Sequence, residues 1–245
     1  MDTAGRQTAG SGRTGTEKEG CLMPEQQFPT CEIMGVRVAV TDMDATLRLL
    51  RDNLERWRGE YICVANVHTT VTAHRDEEYR RVQNGSAMVL PDGGPLSKYS
   101  RTHWYPQAKR VTGPDLMRRV LAESAKHGGT HYFYGSTPAT LEKLGEVLAQ
   151  RYPGAKVAGM YSPPFRALTP EEDEADVARI NAAAPDFVWV GLGAPKQERW
   201  MAAHHGQVHA LMLGVGAAFD YEAGNIQRAP GWMQRHNLEW FYRLM

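Results

Sequence analysis

The chain has 245 residues, with 28 Lys plus Arg against 28 Asp plus Glu, and so carries no formal net charge. This length suits one or two domains, and the charge balance excludes a whole-chain electrostatic binder of nucleic acid, because phosphate recognition needs a marked basic excess. Apolar residues make up 42%, enough for a sizeable core, yet no stretch approaches the ~18 apolar residues of a membrane-spanning helix, and the N-terminus reads as lacking a secretory signal.

Residues 1–31 read as a disordered tail. Gly, Ser, Thr and charged residues dominate without periodicity, and too little apolar surface is present to offset the entropy of ordering. Arg6, Arg13 and Lys18 face Asp2, Glu17, Glu19 and Glu25, leaving −1, so the tail is not a basic arm. Cys21, Cys31 and Cys63 are odd in number and show no CxxC spacing, which predicts a reducing compartment with neither disulfide nor structural zinc.

Residues 32–225 read as one catalytic domain. Strands are predicted at Arg37–Val40, Tyr61–Ala65, Ala87–Leu90, His131–Tyr134, Lys156–Gly159, Phe187–Val190 and His209–Leu213. Most are continuous apolar runs, as strands covered on both faces should be. Helix starts punctuate the intervals. Thr41 with Asp44 has capping-box spacing, Pro114 suits a first helical position, Gly128-Gly129 ends that helix, Thr137-Pro138 opens the next, and Thr169-Pro170-Glu171-Glu172 joins cap, proline and capping acid. The β–α alternation predicts an α/β fold with a doubly wound, mostly parallel sheet. Residues 226–245 carry +2 from Arg228, Arg235 and Arg243 against Glu239, and are rich in Trp, Phe, Met and Leu, as an amphipathic helical appendage would be.

Parallel α/β sheets bind ligands beyond the carboxyl ends of their strands. In this chain those ends are Asn66-Val67-His68, Pro91-Asp92-Gly93-Gly94, Gly135-Ser136-Thr137, Gly191-Leu192-Gly193-Ala194-Pro195-Lys196-Gln197-Glu198 and Gly214-Val215-Gly216. Small residues there let a ligand approach the backbone, and helix N-termini favour phosphate oxygens. A nucleotide or another diphosphate is therefore the expected ligand. Each feature also has a plainer reading. Asp92 could be a turn former and Asn66 or His68 a helix cap. Gly191-x-Gly193 and Gly214-x-Gly216 have Lys196 and Phe219 where a dinucleotide fingerprint has its third glycine. Asp42-Met43-Asp44 matches the DxD of metal-dependent sugar transferases but falls at a helix start, where capping is the expected role. His68 and His74 lack an HExxH pattern, so no metal site is expected. Asp173, Glu174 and Asp176 read as a solvated helix face and Trp189 as core.

NVHTTVTA (66–73), VLPDGGPL (89–96), KRVTGPDLM (109–117), FYGSTP (133–138), VWVGLGAPKQERWM (188–201), LGVGAAFDYEAG (213–224) and RAPGWMQRHNLEWFYRL (228–244) run in an order that resembles the WecG/TagA/CpsF glycosyltransferases over about residues 32–245. The resemblance implies a compact Rossmann-like domain with a C-terminal appendage that meets the membrane. It implies an inverting, metal-independent transfer without a cofactor. The donor would be a UDP-sugar of the N-acetylmannosamine, N-acetylmannosaminuronic acid or glucuronic acid type. The acceptor would be a polyprenyl-diphosphate-linked sugar, in cell-surface polysaccharide assembly such as that of teichoic acid or exopolysaccharide. The enzyme would sit peripherally on the inner face of a bacterial cell membrane, and an oligomer is compatible with this.

Carried over residue by residue, the resemblance makes Asp92 the general base, with His68 able to share that role, since Asn66-Val67-His68 departs from the usual Thr-x-Asn. Arg110 and Arg243 would meet the diphosphate. Asn66, Gly93, Gly135, Gly191, Gly193, Lys196, Gln197, Gly216 and Arg228 would bind substrate. The family continues into an arginine-rich EPRR-like segment past the position of Met245, so this chain is expected to stop short of its last site-completing arginines. An Asp92 carboxylate walled by Met88, Leu90 and a closing appendage would gain basicity from exclusion of water. Two other readings remain: a sugar-nucleotide-binding regulatory or scaffold protein, which would not turn over, and a nicotinamide-dependent oxidoreductase, which would need the fingerprint this chain does not complete.

Overall fold

The computed structural model of the protein describes residues 28–103, 105–230 and 232–233. The first two strands, β1 (Thr30–Ile33) and β2 (Val36–Ala39), pair antiparallel through a two-residue turn at Met34-Gly35. Both turn residues have positive φ, 52° and 84°, the geometry that matches the twist of a tight hairpin. The strand expected at Arg37–Val40 is therefore one arm of a separate hairpin rather than part of the main sheet. The tail boundary expected at residue 31 falls inside β1. Cys31, Ile33, Val36 and Val38 alternate with polar residues and are buried, which is why this stretch orders.

The main sheet has six strands, all parallel: β3 (Tyr61–Ala65), β4 (Met88–Pro91), β5 (Thr130–Gly135), β6 (Lys156–Tyr161), β7 (Phe187–Gly191) and β8 (Leu211–Gly214), in the order β4-β3-β8-β7-β5-β6. Their alternate side chains enter two separate cores. On one face Ile62, Leu90, Phe133, Trp189 and Leu213 pack against α1 (Met43–Asn53), α5 (Gly113–His127), α6 (Pro138–Arg151) and α9 (Ala218–Glu222). On the other, Cys63, Val89, Tyr134, Val190 and Met212 pack against the hairpin, α2 (Val67–Arg75), α3 (Glu77–Asn84), α4 (Gly94–Thr102), α7 (Pro170–Ala182) and α8 (Lys196–Ala203). Burying both faces is what makes the strands read as unbroken apolar runs, and each fully buried Leu, Ile or Phe contributes about 1.5–3 kcal/mol. The fold is the expected Rossmann-like α/β sandwich.

Thr112, Thr137 and Thr169 cap α5, α6 and α7 with their hydroxyls, each followed by a proline in the first turn, and Thr169 forms a full capping box with Glu172. The cap of α1 lies one residue later than the spacing suggests. Asp42 accepts from the Ala45 amide, while the Thr41 hydroxyl turns inward to Thr46. Asp44 pairs with Arg119, so both carboxylates of the DxD stretch have local structural roles.

The helix face at 173–176 departs from expectation. Asp176 is buried, accepts from the Tyr134 hydroxyl at 2.8 Å and pairs with Arg179, and Asp173 meets His204 at 2.9 Å. At the outer edge of the sheet, β6 carries a bulge: Val157 pairs with His131 and Gly159 with Tyr132, leaving Ala158 extra. Gly159 is required there, since a Cβ would fall 2.4 Å from the Tyr132 ring. Among the described residues, no helix is long and apolar enough to cross a membrane. Of the expected appendage, residues 226–230 and the helical pair Trp232-Met233 are described.

Candidate active site

Strands β3 and β8 are neighbours, but β3 crosses over to β4 on one side while β8 is reached from β7 on the other. Loops leaving such a pair diverge and open a crevice beyond the carboxyl ends. A cavity of about 210 Å³ lies there. Asn66 and Thr69 reach it from beyond β3, Asp92 from beyond β4, Gly193 and Gln197 from beyond β7, and Gly216 from beyond β8. Arg110, Tyr221 and Arg228 close its remaining sides.

Asp92 is placed by the sheet itself. Its amide donates to the Ala65 carbonyl at 2.8 Å, continuing the β3–β4 pairing by one residue, and Val111 N–H donates to Pro91 O at 2.9 Å alongside. Arg110 is thereby brought next to Asp92. Its Nε donates to the Asp92 carbonyl at 2.6 Å and stands 3.8 Å from the Asp92 carboxylate. Both side chains are partly exposed, 27% for Asp92 and 21% for Arg110, so the pair faces the cavity without being sealed from water.

Arg228 forms a two-pronged ion pair with Asp115 in the first turn of α5. Burial works to raise the Asp115 carboxyl, but hydrogen bonds from Arg228 and from Thr112, the latter at 2.7 Å, outweigh it and hold the group below the usual carboxylate range. Gly113 lets α5 approach β8 closely, since a Cβ would lie 3.0 Å from the Val215 carbonyl. This pair therefore fastens residue 228 to the rim of the cleft.

Gln197 and Gly216 are in the cavity wall, but their polar groups are already engaged. The Gln197 side-chain oxygen accepts from the Gly216 amide at 3.0 Å, and its NH₂ donates to Glu198 at 2.8 Å. Gly216 has φ +56°, a conformation natural to glycine. The amide of Gly216, a residue expected to bind substrate, is thus taken up by Gln197. Asn66 also has a structural task, capping α2 by accepting from Thr69 N–H at 3.1 Å.

The other expected residues lie elsewhere. His68 is exposed on α2 outside the cavity lining, and Gly93 caps α4 against the Asn66–Val67 backbone. Gly135 and Gly191 meet each other: a Cβ on Gly135 would fall 2.6 Å from the Gly191 carbonyl, and one on Gly191 would strike the Phe219 ring at 2.9 Å, so close packing accounts for both. Lys196 lines a neighbouring depression of about 420 Å³ with Tyr134, Leu192 and Trp200. Arg243 lies outside the described residues. Sequence reasoning missed Glu198, Asp115, Tyr221 and Thr112; the i, i+3 spacing of Thr112 and Asp115 was the one local signal available for any of them.

The chain matches the glycosyl transferase WecG/TagA/CpsF family over residues 31–245. It is 34% identical to an N-acetylglucosaminyldiphosphoundecaprenol N-acetyl-beta-D-mannosaminyltransferase of Bacillus subtilis over 189 residues, 76% of this chain and 72% of that protein. Proteins of the same name from Bacillus spizizenii and Staphylococcus aureus are each 31% identical, covering 78% and 76% of this chain and 73% and 71% of their own lengths. The protein belongs to the WecG/TagA/CpsF family of glycosyltransferases.

Proposed function

We propose that the protein transfers an N-acetylmannosamine-type sugar, with inversion, from a UDP-sugar to an N-acetylglucosaminyl diphosphate carried on a polyprenol. The observation that carries this reading is the Asp92–Arg110 pair in the cleft: an acid and a guanidinium 3.8 Å apart at the carboxyl ends of four parallel strands. Inversion in one displacement needs a base for the acceptor hydroxyl and positive charge for the departing diphosphate. Asp92 takes the proton. Arg110 lies beside the departing phosphates, aided by the N-termini of the surrounding helices. As the diphosphate draws the Arg110 guanidinium, the Asp92 carboxylate loses part of its counter-charge and becomes a stronger base.

Asn66, Gly193, Gln197 and Gly216 shape the cavity, and of these Gly193 offers open backbone, since a Cβ there would meet nothing within 4 Å. Arg228 and Asp115 anchor the C-terminal segment at the rim, and that segment completes the site against the membrane surface, where the polyprenol resides. Ile226 and Trp232, 45% and 54% exposed, suit an interfacial position. The test is UDP release from a panel of UDP-sugars in the presence of a short-chain polyprenyl-diphosphate-linked N-acetylglucosamine. Parental protein should release UDP only with acceptor present, and a folded Asp92→Asn variant should lose about a hundredfold or more in kcat while still binding UDP. Near-parental transfer by Asp92→Asn would remove the base assignment.

A further inference from the structure

We propose that Glu198 is a positioning residue of the transfer site, clamping the Gln197 amide and through it the Gly216 turn that forms the cleft wall. The role in transfer rests on the reading of the cleft given above; the clamp itself does not.

Glu198 follows Gln197 in α8 and is 1% exposed. Its Oε1 accepts from Gln197 Nε2 at 2.8 Å, and the Gln197 oxygen accepts from Gly216 N–H at 3.0 Å. The order of these bonds is fixed by chemistry. A backbone N–H can only donate, so it selects the oxygen end of the amide, and the nitrogen end is left for Glu198. A Gln197 side chain without Glu198 could turn its amide over and would then oppose two donors at Gly216. Space reinforces the arrangement: a Cβ on Gly214 would lie 2.6 Å from Met201 and 3.2 Å from Gln197 Nε2, so the amide lies flat on the end of β8. The Gln197 backbone is held as well, its N–H donating to Gly193 O at 2.9 Å. The turn it controls, Gly214 to Ala217, contributes four consecutive residues to the cleft.

Burial pushes the Glu198 carboxyl up, against the hydrogen bond from Gln197. Its titratable neighbours are the Tyr79 hydroxyl on α3 and the Cys63 thiol on β3, both also pushed up by burial and neither a counter-charge. A neutral acid still offers its carbonyl oxygen to Gln197. The clamp therefore needs an acceptor at position 198, not a charge, and an amide should serve.

The experiment uses full-length protein labelled with ¹⁵N, Glu198→Gln and Glu198→Met variants, hydrogen exchange of the Gly216 amide, and transfer kinetics. Glu198→Gln should keep the Gly216 amide protected and kcat within about twofold of the parent. Glu198→Met should speed Gly216 exchange by about tenfold or more while amides in the centres of β3 and β7 stay protected, and should lower kcat by about tenfold with little change in donor KM. Loss of Gly216 protection in folded Glu198→Gln overturns the clamp, and this arm decides the matter even if the Met variant does not fold. Unchanged Gly216 exchange in folded Glu198→Met also overturns it, and faster exchange with parental kcat overturns the positioning role. A protected Gly216 in a parent that transfers no sugar would instead count against the proposed function, leaving the clamp supported.

Discussion

The helices that follow β7 and β8 each bury a glutamate, and the two regions treat it in opposite ways. Glu222 on α9 has a side chain only 1% exposed and receives Arg118 Nε and Arg151 Nη1, each at 2.5 Å, with the Tyr152 hydroxyl at 3.4 Å. It ties α9 to α5 and α6 through charge. Glu198 on α8 is equally hidden but is met by neutral groups, the Gln197 amide at 2.8 Å and the Tyr79 hydroxyl. Burial alone does not decide how a carboxyl serves a fold; the group that meets it does. Behind α9 an ion hub holds a helix, whereas behind α8 a neutral chain of dipoles holds a turn.

A buried titratable group with no opposite charge in contact should stay neutral, and His131 extends the comparison with the largest expected effect. It is fully buried, accepts from the Trp189 indole at 3.1 Å through Nδ1, and burial lowers its pKa to about 4, with Asp186 only partly opposing. The unfolded chain takes up a proton near pH 6.5 and the folded one near 4, so stability should rise with pH across that window, by about 3 kcal/mol in total. Denaturant unfolding from pH 4 to 7 measures this. His131→Gln, which cannot titrate, should show a slope shallower by up to one proton, and an unchanged slope would refute the assignment.

Next in size is Glu222→Gln, which leaves two guanidinium groups facing an amide. Arg118 and Arg151 are 34% and 52% exposed and can recover hydration, so the cost should be about 2 kcal/mol rather than the full cost of breaking a sealed pair. The urea midpoint of unfolding reads it. The same change at the other site, Glu198→Gln, should cost under about 1 kcal/mol at pH 7, because the accepted hydrogen bond survives. Its sign with pH is also set. Burial makes folded Glu198 release its proton at a higher pH than the unfolded chain, which does so near 4.5, so parental stability falls as pH rises from 4.5 to the raised folded value. The variant lacks this loss, and its melting temperature relative to the parent should climb with pH. Equal costs for the two Glu→Gln changes would break the comparison outright.

Much of the architecture was legible because it rests on local chemistry. The β3 strand runs over Tyr61–Ala65 as its apolar run predicts, and three Thr caps with their prolines mark the starts of α5, α6 and α7. Asp92 and Arg110 line one cavity, and the place of Asp92 at the end of a strand was readable from the apolar run before Asp-Gly-Gly. What escaped depended on distant partners. Thr30 and Cys31, the first half of the hairpin arm, looked like tail because their burial comes from residues far along the chain. Asp176 looked solvated until Tyr134, 42 positions away, supplied a donor. Gly135 and Gly191 looked like ligand contacts when they make room for each other and for Phe219. Gln197 and Gly216 were each expected to bind substrate, but the bond between them spans 19 positions, and no local pattern announces that each satisfies the other.

The bulge at Ala158 bears on how copies of the protein behave when brought together. A regular outer strand offers a ready row of amide and carbonyl groups to any strand of a second molecule. Strand β6 is the outer strand on its side of the sheet, and it is interrupted by the bulge and fronted by an exposed Lys156. Local overtwist and a lysine charge are both hostile to sheet extension. Copies of the protein brought close together should then not join edge to edge through β6.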